Sequence, residues 1–339
     1  MKTLVCIEPG VLEYRHATPP VLQPGQAILK VKRIGICGTD LHAYKGTQPF
    51  FNYPRILGHE LAADLIEADG AHEFVPGEAL TIITYFNCGT CIACRNNKPN
   101  CCASIQVFGV HIDGGMAEYI SVPSYSLIKG EGLSYDELAL VEPLAIGAHG
   151  IRRANIKKDE FVLVIGAGPI GLGTMQFAKI AGAKVIALDI NEKRLLFCKE
   201  NLKMDYVINA ETENVLSRLN EITGGDMPTV VIDATGNKKA INIALQYLAH
   251  GGRFILIGLQ KEEISFSHPE FHKREATLMS SRNATKQDFQ YVIKAMKNGW
   301  VDPSVYITQR MEFDDLKEAF EGWLYDADKV IKAMVTFDT

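Results

Sequence analysis

The sequence predicts an α/β protein in which a β-rich domain accompanies a domain built on a doubly wound parallel sheet. Three observations support this fold class. The 339 residues exceed what one domain of ~150 residues needs, so two domains are expected. Short strand-like runs separated by glycine and proline fill the chain before Tyr135. From residue 160 onward, apolar strand-like runs alternate with helical stretches, which is typical of a parallel sheet covered on both faces.

In the first region, strands are expected in three runs of alternating character: Gln26 to Ile34, Leu61 to Glu67 and Ala79 to Thr84. A helical stretch follows from Tyr135 to Arg152. The last part of the chain returns to a mixed pattern, with helical runs over 286–297 and 313–323 and a strand-like piece over 332–337.

The second region begins with a continuous apolar run, Phe161 to Ile165, as expected for a buried parallel strand. A glycine-rich turn follows directly, then a helical stretch over 172–181 and a second strand that ends at Asp189. Strand, G-x-G-x-x-G, helix, strand and acid together predict a dinucleotide-binding unit. The candidate cofactor residues are those of the turn, the acid, and the ends of the later strands: Gly166, Gly168, Pro169, Ile170, Gly171, Asp189, Arg194, Thr235, Gly236, Gly258 and Leu259.

Asp189 favours NAD over NADP. A carboxylate at this position accepts hydrogen bonds from ribose hydroxyls and would repel a 2′-phosphate. Lys193 and Arg194 lie one helical turn further on and soften that repulsion.

A segment of possible metal ligands centres on Cys37. Two glycines flank this cysteine, Thr39 and His42 follow it closely, and His59-Glu60 comes seventeen residues after His42. Cysteine, histidine and glutamate are ligand types that zinc accepts, and catalytic zinc sites combine three protein ligands with an open position. A lone buried cysteine or histidine is usually only a core residue. The clustering here favours a metal.

Four further thiols lie within fifteen residues: Cys88, Cys91, Cys94 and Cys102. A loop with this spacing folds readily around one tetrahedral zinc, and four cysteine ligands leave no open position, so the site is expected to be structural. Cys101 adjoins Cys102 and is an alternative ligand. Glu142, inside the apolar helical stretch, needs a partner for its buried carboxylate and is a further metal candidate.

Bulk composition excludes several classes of protein. The net charge is −5 and no basic block is present, so no nucleic-acid partner is expected. No apolar run is long enough to span a bilayer, and the N-terminus lacks signal-peptide features. A cytoplasmic location is therefore expected. In that compartment, the eight cysteines of the chain suit metal sites better than disulfides.

The motifs described so far, taken in order along the chain, resemble the zinc-containing medium-chain dehydrogenases. That resemblance implies a GroES-like, zinc-binding catalytic domain formed by residues 1–150 and 285–339, and an NAD-binding Rossmann domain over residues 151–284. It also implies two zinc ions per chain and the Cys-x2-Cys-x2-Cys-x7-Cys pattern that selects Cys102 over Cys101. A homodimer or homotetramer is expected from the same resemblance.

The resemblance further implies a mechanism. Cys37, His59 and either Glu60 or Glu142 would hold the catalytic zinc, which lowers the pKa of the substrate hydroxyl as it does that of water. Hydride would pass to NAD, and the proton would leave through Thr39 and the cofactor ribose to His42. The glutamate at position 142 resembles the residue found there in the sorbitol and threonine dehydrogenase branch of the family.

Other segments, among them Gly46 to Phe51 and Pro269 to Lys273, resemble bacterial sugar-acid dehydrogenases that oxidise L-galactonate or L-gulonate at C5. The expected substrate is therefore a polyhydroxylated acid, contacted by Phe50, Arg282 and Asn283. A polyol or L-threonine is the alternative substrate. Two rival classes, a non-catalytic zinc-stabilised NAD-binding protein and a zinc-free quinone reductase, are disfavoured because the catalytic ligand set is complete.

Overall fold

The computed structural model describes residues 1–48, 51–325 and 330–337. The chain forms two compact units, one made of Met1–Ala145 with Ala284–Thr339 and the other of Ile146–Asn283. The strands are β1 (Lys2–Glu8), β2 (Val11–His16), β3 (Gln26–Ile36), β4 (Arg55–Ile56), β5 (Glu60–Ala68), β6 (Ala79–Ile82), β7 (Tyr85–Phe86), β8 (Gln106–Val107), β9 (Tyr119–Pro123), β10 (Leu127–Lys129), β11 (Phe161–Ile165), β12 (Lys184–Asp189), β13 (Tyr206–Asn209), β14 (Val230–Asp233), β15 (Arg253–Leu256), β16 (Thr277–Ser280), β17 (Ile307–Glu312) and β18 (Lys332–Thr336). The α-helices are α1 (Gly38–Tyr44), α2 (Ile92–Arg95), α3 (Tyr135–Ala139), α4 (Val141–Ala154), α5 (Pro169–Ile180), α6 (Glu192–Glu200), α7 (Val215–Thr223), α8 (Lys238–Ala244), α9 (His268–Lys273), α10 (Lys286–Lys297) and α11 (Leu316–Tyr325).

The main sheet of the first unit has β3 at its centre. Its strands follow the order β10-β6-β5-β3-β18-β17, and β9 also pairs with β3. Antiparallel pairing places Gly35 of β3 opposite Glu60 of β5, and Ile36 opposite Ala333 of β18. Apolar side chains that point inward from these strands, such as Leu29, form the core of the unit. This register brings the end of β3, the start of β5 and the start of β18 together.

The second unit is built on a parallel sheet with strand order β13-β12-β11-β14-β15-β16. Its strands alternate with helices along the chain, and its central strands are buried over most of their length, as continuous apolar runs such as Phe161–Ile165 predict. The carboxyl ends of all these strands lie at one edge of the sheet, where ligands bind in such folds. The predicted α/β fold class, with a doubly wound parallel sheet, is confirmed.

Local differences from the predicted elements have physical causes. The helical stretch expected over 135–152 is two helices, because α3 ends at Ala139 and the Leu140 N–H caps it by donating to the Glu137 and Leu138 carbonyl oxygens. The helix expected from Phe313 begins at Leu316, after a short 3-10 turn. The edge strands β13 and β16 were not expected, because a strand of four partly exposed residues shows little alternation of apolar and polar side chains. None of the helices in the described ranges combines the length and apolarity that a bilayer crossing requires.

Candidate active site

Three side chains of the types that bind zinc meet where β3 ends and β5 begins. Cys37 follows β3 directly, and His59 and Glu60 stand at the start of β5. Their ligand atoms all lie within 4.8 Å of one another. Gly35 makes this possible, because a Cβ atom there would lie 2.2 Å from Glu60 Oε2. The register of the sheet therefore assembles residues that are far apart in sequence.

Asp40 holds two of these groups in place. Its Oδ2 accepts a hydrogen bond from the Cys37 backbone N–H at 2.9 Å, and its Oδ1 accepts one from Gly58 at 3.1 Å. The same Oδ1 lies 3.6 Å from His59 Nδ1, which leaves the other ring nitrogen for a metal. Burial lowers the pKa of His59, but Asp40 and Cys37 outweigh it and raise that pKa well above 6.5. A bound cation would reverse this preference for the protonated ring.

Lys332, the first residue of β18, neutralises Glu60. Its Nζ donates to both Glu60 carboxylate oxygens at 2.6 Å and to the Ile36 carbonyl oxygen at 3.1 Å. The lysine side chain is 2% exposed and the glutamate side chain 0%. Burial lowers the pKa of Lys332, but Glu60, Cys37 and Glu142 together outweigh burial and raise that pKa, so the ammonium stays charged. Sequence reasoning missed this residue, although a lysine between Ile331 and Ala333 in an apolar strand signals a buried partner.

Glu142 has a different partner. The buried Tyr85 hydroxyl donates a hydrogen bond to Glu142 Oε1. Burial is the main cause that raises the pKa of Glu142 to about 7, with His59 acting against it and Glu60 adding to it. Within the described residues, Glu142 is not in the group of ligand atoms that Cys37, His59 and Glu60 form. The structure thus places Glu60 nearer the thiol and imidazole, and Glu142 against Tyr85.

A thiol, an imidazole and a carboxylate at these distances fit a zinc ion with an open position. Thr39 and His42 lie on α1, immediately after Cys37. Thr39 is half-buried and His42 is exposed, with its Nδ1 3.0 Å from Thr47 Oγ1. A partly buried hydroxyl and an exposed imidazole on one helix suit proton release.

The second cysteine cluster is compact. The thiols of Cys88, Cys91, Cys94 and Cys102 lie within 4.8 Å of one another. Cys101 is exposed and is not in this group, although it adjoins the buried Cys102. Hydrogen bonds from Thr90 and the Cys91 backbone lower the pKa of Cys88 to about 6, which favours the thiolate that zinc needs. Four thiols at this spacing fit a closed, structural zinc site.

The glycine-rich turn of the second unit has open space beside one glycine and is closely packed at two others. A Cβ atom on Gly168 would meet nothing within 4 Å, whereas one on Gly171 would lie 1.8 Å from the Gly166 carbonyl oxygen. Gly168 caps α5, whose first residue is Pro169. Asp189 Oδ2 accepts a hydrogen bond from the Ala167 N–H at 2.6 Å, which fixes the acid against the turn. This geometry fits a dinucleotide.

The other cofactor candidates lie near this edge of the sheet. Thr235 and Gly236 follow β14, and Gly258 and Leu259 follow β15. Leu259 is 64% exposed, which is unusual for leucine and leaves its side chain free to contact a ligand. Ile170 lies in the first turn of α5, next to the glycine-rich turn. Arg194 lies in the first turn of α6, which follows Asp189.

The expected substrate residues are less constrained. Arg282 is exposed, and Asn283 has a left-handed backbone conformation with φ 55°. Phe50 lies outside the described residues. Lys273 and Arg274 both pair with Glu270. The Lys273 side chain is 59% exposed and lies on the surface, whereas that of Arg274 is 14% exposed and also donates to the Leu248 carbonyl oxygen at 3.1 Å.

A parallel nucleotide-type sheet and a thiol–imidazole–carboxylate cluster in one chain define the class of metal-dependent oxidoreductases that use a dinucleotide. Comparison with known proteins agrees. Residues 23–132 match the alcohol dehydrogenase GroES-like domain, and residues 169–298 match the zinc-binding dehydrogenase domain. The chain therefore belongs to the zinc-dependent alcohol dehydrogenase family and is an enzyme of that family.

Individual relatives cover the whole chain. It is 40% identical to L-galactonate-5-dehydrogenase of Escherichia coli strain K12 over 338 residues, 99% of each protein. It is 29% identical to sorbitol dehydrogenase of Halalkalibacterium halodurans over 344 residues, again 99% of each. A solved structure of a short chain alcohol dehydrogenase (rspB) from Escherichia coli CFT073, complexed with NADH, superposes with a TM-score of 0.93 at 30% identity, covering 99% of each chain. The resemblance read from the motifs is confirmed.

Proposed function

We propose that this enzyme oxidises a secondary hydroxyl of a sugar acid, at C5 of an L-galactonate- or L-gulonate-type substrate, with hydride transfer to NAD. The observation that carries the proposal is the 40% identity to L-galactonate-5-dehydrogenase over 99% of both chains. The relative solved with NADH supports the choice of cofactor. A polyol such as sorbitol is the second candidate, favoured by the sorbitol dehydrogenase relative.

The proposal assigns Cys37 and His59 as zinc ligands, with Glu60 or Glu142 as the third. Lys332 holds Glu60 and Tyr85 holds Glu142, so each carboxylate has a neutralising or donating partner when it is not a ligand. When bound, zinc supplies a Lewis acid that favours ionisation of the substrate hydroxyl, and NAD supplies the hydride acceptor. A second, structural zinc would be held by Cys88, Cys91, Cys94 and Cys102.

Other residues move the proton and orient the cofactor. The Thr39 hydroxyl takes the proton from the substrate side, and His42 releases it to solvent, since imidazole is the side chain best suited to exchange protons at neutral pH. Asp189 accepts hydrogen bonds from the ribose hydroxyls and disfavours a 2′-phosphate. Gly168 lets the backbone approach the pyrophosphate, because the space beside it is open.

Arg282 and Asn283 recognise the acid in this proposal. A guanidinium binds a carboxylate through two parallel hydrogen bonds, and an amide offers both a donor and an acceptor to hydroxyls. Phe50 stays a substrate candidate from the sequence alone.

The test is a screen of NAD and NADP reduction with L-galactonate, L-gulonate, sorbitol, L-threonine and ethanol. The two sugar acids should give the highest kcat/KM, with NAD preferred over NADP. A higher kcat/KM for sorbitol or L-threonine would exclude the sugar-acid substrate while leaving the zinc-dependent dehydrogenase class intact.

Arg282→Leu sharpens the screen. Loss of a charge-assisted hydrogen bond should lower kcat/KM for the acid by about ten- to a hundredfold, mainly through KM, and change sorbitol kinetics less. Lys273→Leu is the matched control, because it removes a cation that pairs with Glu270 on the surface. Equal effects of the two substitutions would contradict a specific role for Arg282.

A further inference from the structure

Asp233, the last residue of β14, is a buried anion that the mechanism above does not use. It is 0% exposed and is the one fully buried Asp, Glu, Lys or Arg among the described residues 146–283. Three donors reach its carboxylate. The Thr235 backbone N–H and hydroxyl bind Oδ1 at 3.3 and 2.5 Å, and the Gly236 N–H binds Oδ2 at 3.0 Å.

The same residue also joins the turn that follows the neighbouring strand β15. The Asp233 carbonyl oxygen accepts hydrogen bonds from Ile257 at 2.9 Å and from Gly258 at 3.1 Å. Packing there is so close that a Cβ atom on Gly258 would lie 2.1 Å from the Gly236 nitrogen and 2.7 Å from Asp233 Oδ2. Asp233 therefore connects the turns after β14 and β15 through both its side chain and its backbone.

The glycine-rich turn after β11 contacts this pair of turns. A Cβ atom on Gly166 would lie 2.7 Å from Thr235 Cγ2, so the position of Thr235 limits the shape of the first turn. Three turns at the carboxyl edge of the parallel sheet thus meet around Asp233 and Thr235. That edge is where ligands of such sheets bind.

We propose that Asp233 is a positioning residue for the dinucleotide: it fixes the Thr235-Gly236 and Gly258-Leu259 turns in the shape that receives the cofactor. This inference rests on the proposed use of NAD. Asp233 is buried beneath the turns, so it acts through them.

The chemistry of the site requires a carboxylate. Both oxygens of Asp233 accept from donors, whereas an asparagine offers one oxygen and one NH2 group. In either orientation, asparagine would set an N–H against the backbone N–H of Thr235 or of Gly236. Burial raises the pKa of Asp233, and the three hydrogen bonds oppose that rise only in part. A neutral side chain would avoid this cost but could not accept from both Thr235 and Gly236.

The test compares NADH binding by the full-length, zinc-loaded wild type and Asp233→Asn, using nicotinamide fluorescence. The dissociation constant for NADH should rise about ten- to a hundredfold, the range expected when a hydrogen bond to a charged group is lost. KM for NAD should rise in parallel, while KM for the alcohol and the zinc content stay unchanged. Amide hydrogen exchange at Gly236 should become faster.

Asp205→Asn is the matched control. Asp205 accepts a hydrogen bond from the Val185 backbone N–H at 2.9 Å, near the start of β12 and at the opposite edge of the same sheet. This control should leave NADH affinity unchanged. A loss of affinity in both variants would mean that general loosening of the unit, rather than positioning of the turns, causes the effect.

A second pair of variants covers the case in which Asp233→Asn does not fold. Thr235→Val removes the 2.5 Å hydroxyl donor and should weaken NADH binding, whereas Thr235→Ser keeps that donor and should weaken it less. Normal NADH affinity in folded Asp233→Asn, or in Thr235→Val, overturns the inference. Absence of NADH binding by the wild type refutes the proposed cofactor instead, and the inference with it.

Discussion

The buried pair between Lys332 and Glu60 gives the sharpest test of the site. Replacing Lys332 with methionine keeps the length of the side chain and removes its charge. Glu60, 0% exposed, then loses two hydrogen bonds of 2.6 Å and its counter-charge. Breaking a buried ion pair in this way typically costs about 3–5 kcal/mol, because one charge is left without a partner.

The measurement is urea unfolding of zinc-free protein, prepared with a chelator so that no metal ion can compensate Glu60. Trp300 and Trp323 are the two tryptophans of the chain, and both belong to the unit that contains the site. Their fluorescence therefore reports on that unit. Lys332→Met should lower the free energy of unfolding by about 3–5 kcal/mol. Addition of zinc should recover part of this loss, since Glu60 can then neutralise the metal.

A double-mutant cycle isolates the pair. Adding Glu60→Gln to Lys332→Met removes the orphaned charge and should restore about 2 kcal/mol or more. Lys297→Met is the control, since Lys297 and Glu131 approach to 2.7 Å in the same unit but are 43% and 54% exposed. That substitution should cost less than about 1 kcal/mol. If Lys332→Met proves no more costly than Lys297→Met, the reasoning about a buried, charged pair is refuted.

Three further predictions concern other parts of the enzyme. Cys88→Ser should lower zinc content by one equivalent of the proposed two and reduce stability, whereas Cys101→Ser, outside the cluster, should do neither; metal analysis of both checks this. Asp189→Ser should raise activity with NADP relative to NAD, and an unchanged ratio would contradict its role. Because the Glu142 pKa rises from 4.5 to about 7 on folding, zinc-free wild type should lose stability as pH rises through that window. Glu142→Gln lacks this titration and should lose less stability, since the raised pKa of His59 is common to both proteins. Between about pH 5 and pH 8, the difference in the free energy of unfolding should change by roughly 2–3 kcal/mol in favour of Glu142→Gln.

The parts of the site that could be predicted from sequence are those carried by residue type and short spacing. Cys37 and the His59-Glu60 pair were predicted from ligand chemistry, and the structure brings their ligand atoms together. The second cysteine cluster was also predicted, and in the structure Cys102 rather than Cys101 belongs to it. The glycine turn and Asp189 were predicted from the strand–turn–helix context, and they make contact in the structure.

The parts that could not be predicted depend on pairing between distant segments. Lys332 reaches Glu60 only because β18 pairs with β3, across 272 residues of sequence. Tyr85 and Asp40 look like an ordinary strand tyrosine and an ordinary helix-start acid until the sheet closes around them. Asp233 ends a buried strand, and nothing local shows that two turns will depend on it. The break at Leu140 is equally a matter of local backbone geometry that periodicity does not reveal.

The position of β18 in the central sheet has a consequence for how the protein is made. A ribosome synthesises Glu60 early and Lys332 only after the whole second unit has emerged, 272 residues later. Until then β3 lacks its β18 neighbour and the Glu60 carboxylate lacks its ammonium partner. A nascent chain therefore lacks the counter-charge of Glu60, and a chain released before β18 is made keeps an unneutralised carboxylate in its core. Chains that end before β18 should therefore be less stable than complete chains.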